Sequence, residues 1–134
     1  NSVPDLTEIG IDIRTIPEQN HTSLQTQLSG YLGDEVELEP VVDVDGVLTN
    51  SADEWVQEVN EIITGIQGTI PEYETGTGFT DASVLTPAYG GAPTLILGPG
   101  EPIMAHKTDE YCVVEKIKEA ESAYIEISCR WKQH

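Results

Sequence analysis

Residues 98–111 read GPGEPIMAHKTDEY and contain His106, one of three histidines in the chain. Imidazole titrates near neutral pH and serves proteins as a metal ligand and as a general base. A single histidine does not hold a metal tightly, because a zinc site needs three or four protein ligands. His106 is therefore either an ordinary loop side chain or one member of a ligand set. Asp109 and Glu110 either cap the next helix or orient the ring.

Two further features could bind a ligand. The loop at residues 76–81, GTGFTD, has small residues that allow close approach to the backbone, and free amides at a helix start bind anions. It is not a P-loop, since no lysine follows. Arg14 either forms a surface ion pair or clamps a carboxylate with its forked guanidinium. His21 and His134 have no such context, and Cys112 has no identified base, so a Ser–His–Asp or Cys–His arrangement is not predicted.

The charge balance restricts the partners of this chain. Its 134 residues carry 24 acidic and 6 basic side chains, a formal charge of -18. Binding to nucleic acid or to an anionic membrane needs Lys and Arg, so we expect this chain to bind neither of them. Cys112 and Cys129 bracket one predicted helix and lie roughly 25 Å apart, beyond disulfide reach. We therefore expect a cytoplasmic protein.

The N-terminal residues predict a strand followed by a helix. Segment 6–16 alternates apolar and polar residues, as a half-buried strand does, with its isoleucines on one face. A capping box of Thr22 and Gln25 is expected to start a helix over about 22–32, which Gly33 would end.

A second alternating segment covers residues 36–44, and its proline marks an edge strand or a bend. The boundary between two units is expected near residue 50. Ser51 and Glu54 can form a capping box for a helix with apolar residues at helical spacing, and Gly68 would end that helix.

The rest of the chain predicts a strand, a short helix, a strand and a long helix. The first strand runs into the Gly- and Thr-rich loop, and Asp81 is expected to cap the short helix. Residues 92–100, APTLILGPG, are a short apolar run typical of a strand buried on both faces. The last helix, at about 112–131, carries an apolar stripe formed by Val113, Ile117, Ala120, Tyr124, Ile127 and Trp131.

This order of elements predicts an α/β protein. Residues 50–134 would form a partial α/β layer, a sheet with helices, and residues 1–49 part of a smaller α+β unit. Neither piece is complete, because two or three strands with one helix leave an edge or a face of the sheet uncovered.

Four motifs, NSVPD, IDIRTIP, GTGFTDA and GPGEPIMAHKTDEY, occur in an order that resembles one known family. It is the C-terminal part of the zinc-dependent amidohydrolases and metallopeptidases that include acetylornithine deacetylase, succinyl-diaminopimelate desuccinylase and carboxypeptidase G. The resemblance covers essentially all of the chain. It implies that residues 1–49 are the second half of a two-layer lid and dimerisation domain. Residues 50–134 would be the C-terminal segment of the metal-dependent catalytic domain.

The resemblance also implies roles for individual residues. His106 corresponds to the final ligand of a site with two zinc ions, for which cobalt or manganese can substitute. Asn1 and Arg14 match lid positions that contact substrate, and Gly78 and Thr80 match loop positions near it. No catalytic residue is expected in this chain, because the other ligands and the glutamate general base belong to the N-terminal half of such enzymes.

The implied function is that of a fragment, inactive by itself, of a hydrolase that cleaves the amide bond of an N-acyl amino acid. Its partners would be a small N-acyl amino acid or peptide substrate and a second copy bound through the lid. Pro102 stands where desuccinylases tend to carry asparagine, so the acyl group stays open. The alternatives are a dipeptidase or carboxypeptidase of the same family and a non-catalytic acidic binding or dimerisation module.

Overall fold

The computed structural model describes residues 3–131, which contain four α-helices and one turn of 3-10 helix. The α-helices are α1 (His21–Leu32), α2 (Glu54–Gln67), α3 (Ala82–Ala88) and α4 (Val114–Trp131), and the 3-10 turn is Pro102–Met104. All four predicted helices are confirmed. None of the helices in this range has the length and apolar character that crossing a bilayer requires.

The first helix begins one residue earlier than its predicted capping box. The side chain of Asn20 accepts a hydrogen bond of 2.9 Å from the backbone N–H of Ser23, so asparagine is the N-cap and the box on Thr22 is wrong. Gly33 ends the helix as predicted, with its backbone N–H bonded to Ser29. None of the residues of α1 is buried.

The second helix also begins at a different cap from the predicted one. Asp53, and not Ser51, accepts the backbone N–H of Trp55 at 3.0 Å. The carboxylate also lies at the positive end of the helix dipole, which favours an anion there. Gly68 ends the helix at φ 74°, in the left-handed region that favours glycine at this position.

The core of the described chain is the packing of α2 against α4. The buried apolar side chains of these two helices are Val56, Val59, Ile62 and Ala123, and Ala82 at the start of α3 is also buried. The indole rings of Trp55 and Trp131 meet edge to face with centroids 6.3 Å apart, which closes one end of the helix pair. The helix pair is thus held by one apolar stripe of α2 against a small residue of α4.

The face of α4 that packs only partly matches the predicted stripe, of which Ala120 and Ile127 are half-buried and Trp131 meets Trp55. Ala123 is buried, whereas Ile117, Tyr124 and Trp131 are each at least 45% exposed. The apolar pattern of α4 therefore exceeds the surface that α2 covers.

The predicted α/β fold is wrong for residues 3–131, because none of them forms a strand. A strand exists only where its backbone pairs with a neighbour, and alternation cannot supply that neighbour. The backbone hydrogen bonds outside the helices in this range close local turns only. Among residues 3–131, neither predicted sheet is present. One was expected in the partial catalytic layer over 50–134, and the other in the two-layer unit over 1–49. The division of the chain near residue 50 stays a prediction.

The segments predicted as strands leave their apolar faces uncovered. In segment 6–16, Ile9 is 79% exposed and Ile11 is 71% exposed. The accessible surface of the chain is 11422 Å², whereas a compact monomer of 14.6 kDa exposes about 6,900 Å². The helix pair therefore buries only part of the apolar surface that the sequence provides.

The buried stripe of α2 should carry the stability of this fold. We expect Val56→Ala to lower the free energy of unfolding by about 2 kcal/mol, because it empties a fully buried site. Val114→Ala is the matched control, since Val114 is 58% exposed; its effect should stay within about 0.5 kcal/mol. Urea unfolding followed by circular dichroism measures both, and equal effects would contradict α2–α4 packing.

Candidate functional site

The loop that contains His106 is held at its start by α4. The hydroxyl of Tyr124 donates to the carbonyl oxygen of Leu97 at 2.7 Å, and the thiol of Cys112 lies 3.4 Å from the carbonyl oxygen of Pro99. Both anchors come from α4 or the residues just before it. Contacts from α4 and from Cys112 therefore hold the start of the loop that places His106 ahead of the last helix.

His106 has an unusual backbone. Its φ is 62°, and it is the one described residue other than glycine with a positive φ. Histidine enters this region more often than most residues do. The backbone N–H of His106 donates to Oε2 of Glu110 at 3.2 Å. Glu110 thus binds the backbone of the loop, and it neither orients the ring nor caps α4.

The imidazole ring of His106 is available to a ligand. The residue is exposed, and its ring has no hydrogen-bond partner among residues 3–131. However, the described residues contain no group of three or more His, Cys, Asp or Glu side chains that could hold a metal ion. The ring therefore fits the role of one ligand, and this part of the chain does not form a complete metal centre.

Arg14 lies in the exposed segment 6–16 and is already paired. Its Nη2 lies 2.6 Å and its Nε 3.1 Å from the same oxygen of Asp12, two residues away on the chain. The guanidinium is 47% exposed and the carboxylate 68% exposed, so solvent screens this pair strongly. Arg14 thus forms the surface ion pair that was one of its two predicted roles, and its guanidinium remains accessible to a competing carboxylate.

The loop at residues 76–80 is exposed up to Phe79 and leads into α3. A Cβ built at Gly76 or Gly78 would meet nothing within 4 Å, so the space around the backbone is open. Thr80 is half-buried, and its carbonyl oxygen accepts the N–H of Ser83. Asp81 is the N-cap of α3 but makes no capping side-chain bond.

The predicted site residues are not joined to one another. Within residues 3–131, no hydrogen bond or ion pair links Arg14, Thr80 and His106. Asn1, the remaining predicted substrate contact, lies outside the described residues. The roles of Asn1, Arg14, Gly78, Thr80 and His106 remain predictions.

A cluster that the sequence analysis did not predict surrounds His21, the first residue of α1. Its Nδ1 is hydrogen-bonded to Oδ1 of Asp43, and its Nε2 lies 2.8 Å from the hydroxyl of Thr15. Gln25, one turn later on α1, donates to the other oxygen of Asp43 at 2.8 Å. Because Asp43 is 22 residues from His21 in the chain, no short motif signals this contact.

The cluster changes the acidity of Asp43. The hydrogen bond from His21 lowers the pKa of this carboxyl below its ordinary value of 3.8, against a smaller opposing effect of desolvation. The hydrogen bond from Gln25 lowers the pKa further. Asp43 therefore stays ionised at neutral pH and can hold the imidazole by a charge-assisted bond.

A cavity of about 380 Å³ lies between α2, α4 and residues 97–102. Glu119 and Lys116 line it and form an ion pair of 2.8 Å. The hydrogen bond between them raises the pKa of Lys116 and lowers the pKa of Glu119. His106 and Arg14 do not line this cavity, so it does not coincide with the predicted site.

The backbone of His106 yields a test of strain at this position. We expect His106→Gly to be more stable than His106→Ala by about 1 kcal/mol, because glycine adopts a positive φ without a Cβ clash. Both variants lack the imidazole, so the comparison isolates the backbone. Urea unfolding at neutral pH measures the difference. If the two variants unfold together, the left-handed conformation of this residue is wrong.

The lowered pKa of Asp43 predicts a pH dependence. A carboxyl whose folded-state pKa is depressed contributes stability above its unfolded pKa and loses it as pH falls through the folded pKa. Asp43→Asn should therefore lower the urea midpoint at pH 7, and the difference should shrink as the pH falls below the ordinary carboxyl pKa of 3.8. Asp34→Asn, at an exposed carboxylate without a hydrogen bond in the described range, is the control. A difference that is constant with pH would contradict the Asp43–His21 bond.

Comparison with known proteins gives the chain a family. Residues 2–129 match the model of peptidase family M20/M25/M40. The chain is also similar to a probable succinyl-diaminopimelate desuccinylase of Staphylococcus aureus (strain Mu50 / ATCC 700699), with 26% identity over 133 residues. This match covers 92% of the chain and 32% of that relative, so the chain spans about a third of its length. No solved structure matches. Because the family model spans nearly all of it, the chain belongs to peptidase family M20/M25/M40, as its ordered motifs predict.

Proposed function

We propose that this chain is the C-terminal part of a metal-dependent hydrolase that cleaves the amide bond of an N-acyl amino acid, as a deacetylase or desuccinylase does. The observation that carries the proposal is the family match over residues 2–129. The similarity to the S. aureus desuccinylase favours this reaction over cleavage of a dipeptide.

His106 is the proposed metal ligand of this part of the enzyme. Its exposed ring, free of hydrogen bonds in the described range, can offer a neutral nitrogen to one of two zinc ions. When bound, such ions polarise an amide carbonyl and lower the pKa of a water molecule. The remaining ligands and the general base would come from residues outside this chain. The chain itself supplies the imidazole and the loop that carries it.

Arg14 is the proposed carboxylate clamp. Its guanidinium already binds one carboxylate, that of Asp12, through two of its N–H groups. A substrate carboxylate would compete with Asp12 for these donors or use the remaining ones. Because the pair is exposed, the exchange costs little. Gly78 and Thr80, with Asn1, would lie near the substrate, where an open backbone admits the acyl group or the carboxylate.

The isolated chain should be inactive and should expose surfaces that the intact enzyme covers. Its accessible surface is well above that of a compact monomer. In the intact enzyme, residues 1–49 would belong to a lid that forms the homodimer, and the exposed face of segment 6–16 is apolar enough for such an interface. Cys112 and Cys129 are free, which suits the proposed cytoplasmic location.

The metal role of His106 has a direct test. In the full-length enzyme, His106→Ala should lower kcat/KM for N-acyl amino acids by more than about 100-fold and reduce bound zinc, because ligand loss exceeds the effect of losing a supporting contact. Lys107→Ala, at the exposed neighbour, should retain both. Zinc content by mass spectrometry and amide hydrolysis measure the two effects.

Two results would contradict the proposal. Full activity and zinc content in His106→Ala would remove the metal role of this histidine. Turnover by purified residues 1–134 that disappears in His106→Ala would show that the missing ligands are not needed. Profiling N-acetyl and N-succinyl amino acids against dipeptides separates the deacylases from the peptidases of the family.

A further inference from the structure

The cluster around His21 joins three separate parts of the N-terminal unit. Thr15 lies at the end of segment 6–16, His21 is the first residue of α1, and Asp43 follows α1. His21 is the common partner, with a side chain only 18% exposed. Both ring nitrogens are used, and both carboxylate oxygens of Asp43 are bonded, the second one to Gln25. This is a fully satisfied hydrogen-bond network on an otherwise exposed surface.

The network dictates the proton positions. A carboxylate only accepts hydrogen bonds, so Nδ1 of His21 carries a proton and donates to Asp43. In the neutral ring Nε2 is then an acceptor, and the hydroxyl of Thr15 donates to it over 2.8 Å. Each bond fixes the next one. The orientation of Thr15 therefore depends on Asp43.

The backbone around Thr15 is held from other directions as well. The side chain of Gln19 accepts the N–H of Ile16 at 3.0 Å, and its own backbone N–H donates to the carbonyl oxygen of Ile16 at 2.9 Å. Gly46 approaches Pro17 so closely that a Cβ there would lie 3.2 Å from the proline ring. The turn after Thr15 is thus packed against the segment that carries Asp43.

The geometry points to His21, with Thr15 and Asp43, as a positioning cluster that directs Arg14 toward a carboxylate of the substrate. Arg14 directly precedes Thr15. The hydrogen bond of the Thr15 hydroxyl to His21 therefore fixes the backbone from which the Arg14 side chain extends. On the other side Arg14 is bound only to Asp12, an exposed neighbour. The cluster is therefore the one link, among the described residues, between Arg14 and the helix α1.

A nucleophilic role for the same residues is less well supported. Thr15, His21 and Asp43 have the order of a hydroxyl, a base and an orienting carboxylate. However, neither the groove between α2 and α4 nor the cavity beside residues 97–102 is lined by any of the three. A positioning role requires no cavity at the hydroxyl, because the substrate meets Arg14 instead.

This inference rests on the proposed role of Arg14, and the test separates the two. In the full-length enzyme, kcat/KM is measured for an N-acyl amino acid and for analogues with one carboxylate replaced by a primary amide. Arg14→Ala should reduce the preference for the carboxylate by about tenfold or more, the effect of losing a charged hydrogen bond. His21→Ala and Thr15→Val should reduce it by about fivefold, through misplacement of the arginine.

Matched variants distinguish positioning from loss of structure. Thr15→Ser keeps the hydroxyl and should restore the preference that Thr15→Val loses, although valine preserves the shape better. Asp34→Asn should leave the preference unchanged. In the wild-type enzyme labelled with 15N-histidine, the Nδ1 resonance of His21 should be that of a protonated nitrogen.

The outcomes are distinct. If Arg14→Ala reduces the carboxylate preference while His21→Ala and Thr15→Val leave it unchanged within about twofold, the positioning cluster is overturned and the role of Arg14 stands. If Arg14→Ala leaves the preference unchanged, the role of Arg14 and this inference both fall. The opposite tautomer of His21 would also overturn the cluster, whatever the kinetics show.

Discussion

The packing of α2 against α4 is the interaction on which the described part of the chain depends. It is the one place in residues 3–131 where two helices contact each other, and it contains nearly all the buried side chains. Valine and isoleucine of α2 and Ala123 of α4 are buried where the helices contact, and the small alanine lets the helices approach. The same pair places Tyr124 and Cys112 where they anchor the loop that leads to His106. The position of the proposed metal ligand therefore follows from this helix contact.

The uncovered apolar surface is the main consequence of having so small a core. Segment 6–16 and α4 have the apolar patterns of buried elements, yet most large side chains of the segment, and Ile117, Tyr124 and Trp131 of the helix, are exposed. Hydrophobic surface of this extent is unfavourable in water, and large exposed apolar patches are typical of contact surfaces. The S. aureus relative is about three times as long as the part it shares with this chain, since the match covers 32% of it. In the longer enzyme proposed above, the further residues would cover these faces.

The two clusters near the proposed substrate and metal residues differ in how they are built. Around His106 the contacts hold the backbone, because Glu110 binds the N–H of a residue with a positive φ and the ring is left free. Around His21 the contacts hold the ring itself, and both of its nitrogens are occupied. A ring free of hydrogen bonds suits a residue that binds a metal, whereas a ring with both nitrogens bonded suits a residue that positions its neighbours. The two imidazoles are chemically alike and are distinguished by their surroundings.

Local physical chemistry was enough to locate the helices from the sequence. Helical periodicity and terminal glycines depend on residues close in the chain, so α1, α2 and α4 could be predicted within two residues. The predicted N-caps of α1 and α2 were wrong because Asn20 and Asp53 compete with nearby Thr22 and Ser51, and the choice depends on backbone geometry. The ordered motifs also identified the family, and the histidine between a glycine-rich loop and the last helix was found from spacing.

Long-range contacts were beyond the reach of the sequence. Alternation in segment 6–16 indicates a strand, but pairing needs a neighbouring backbone that residues 3–131 do not provide. Similarly, nothing in the sequence relates His21 to Asp43, because their contact forms only when α1 and the following segment pack together. The sequence by itself determined the helices, the family and the candidate imidazole. Only the tertiary structure decided which apolar faces are covered and which histidine is held, because both depend on residues distant in the chain.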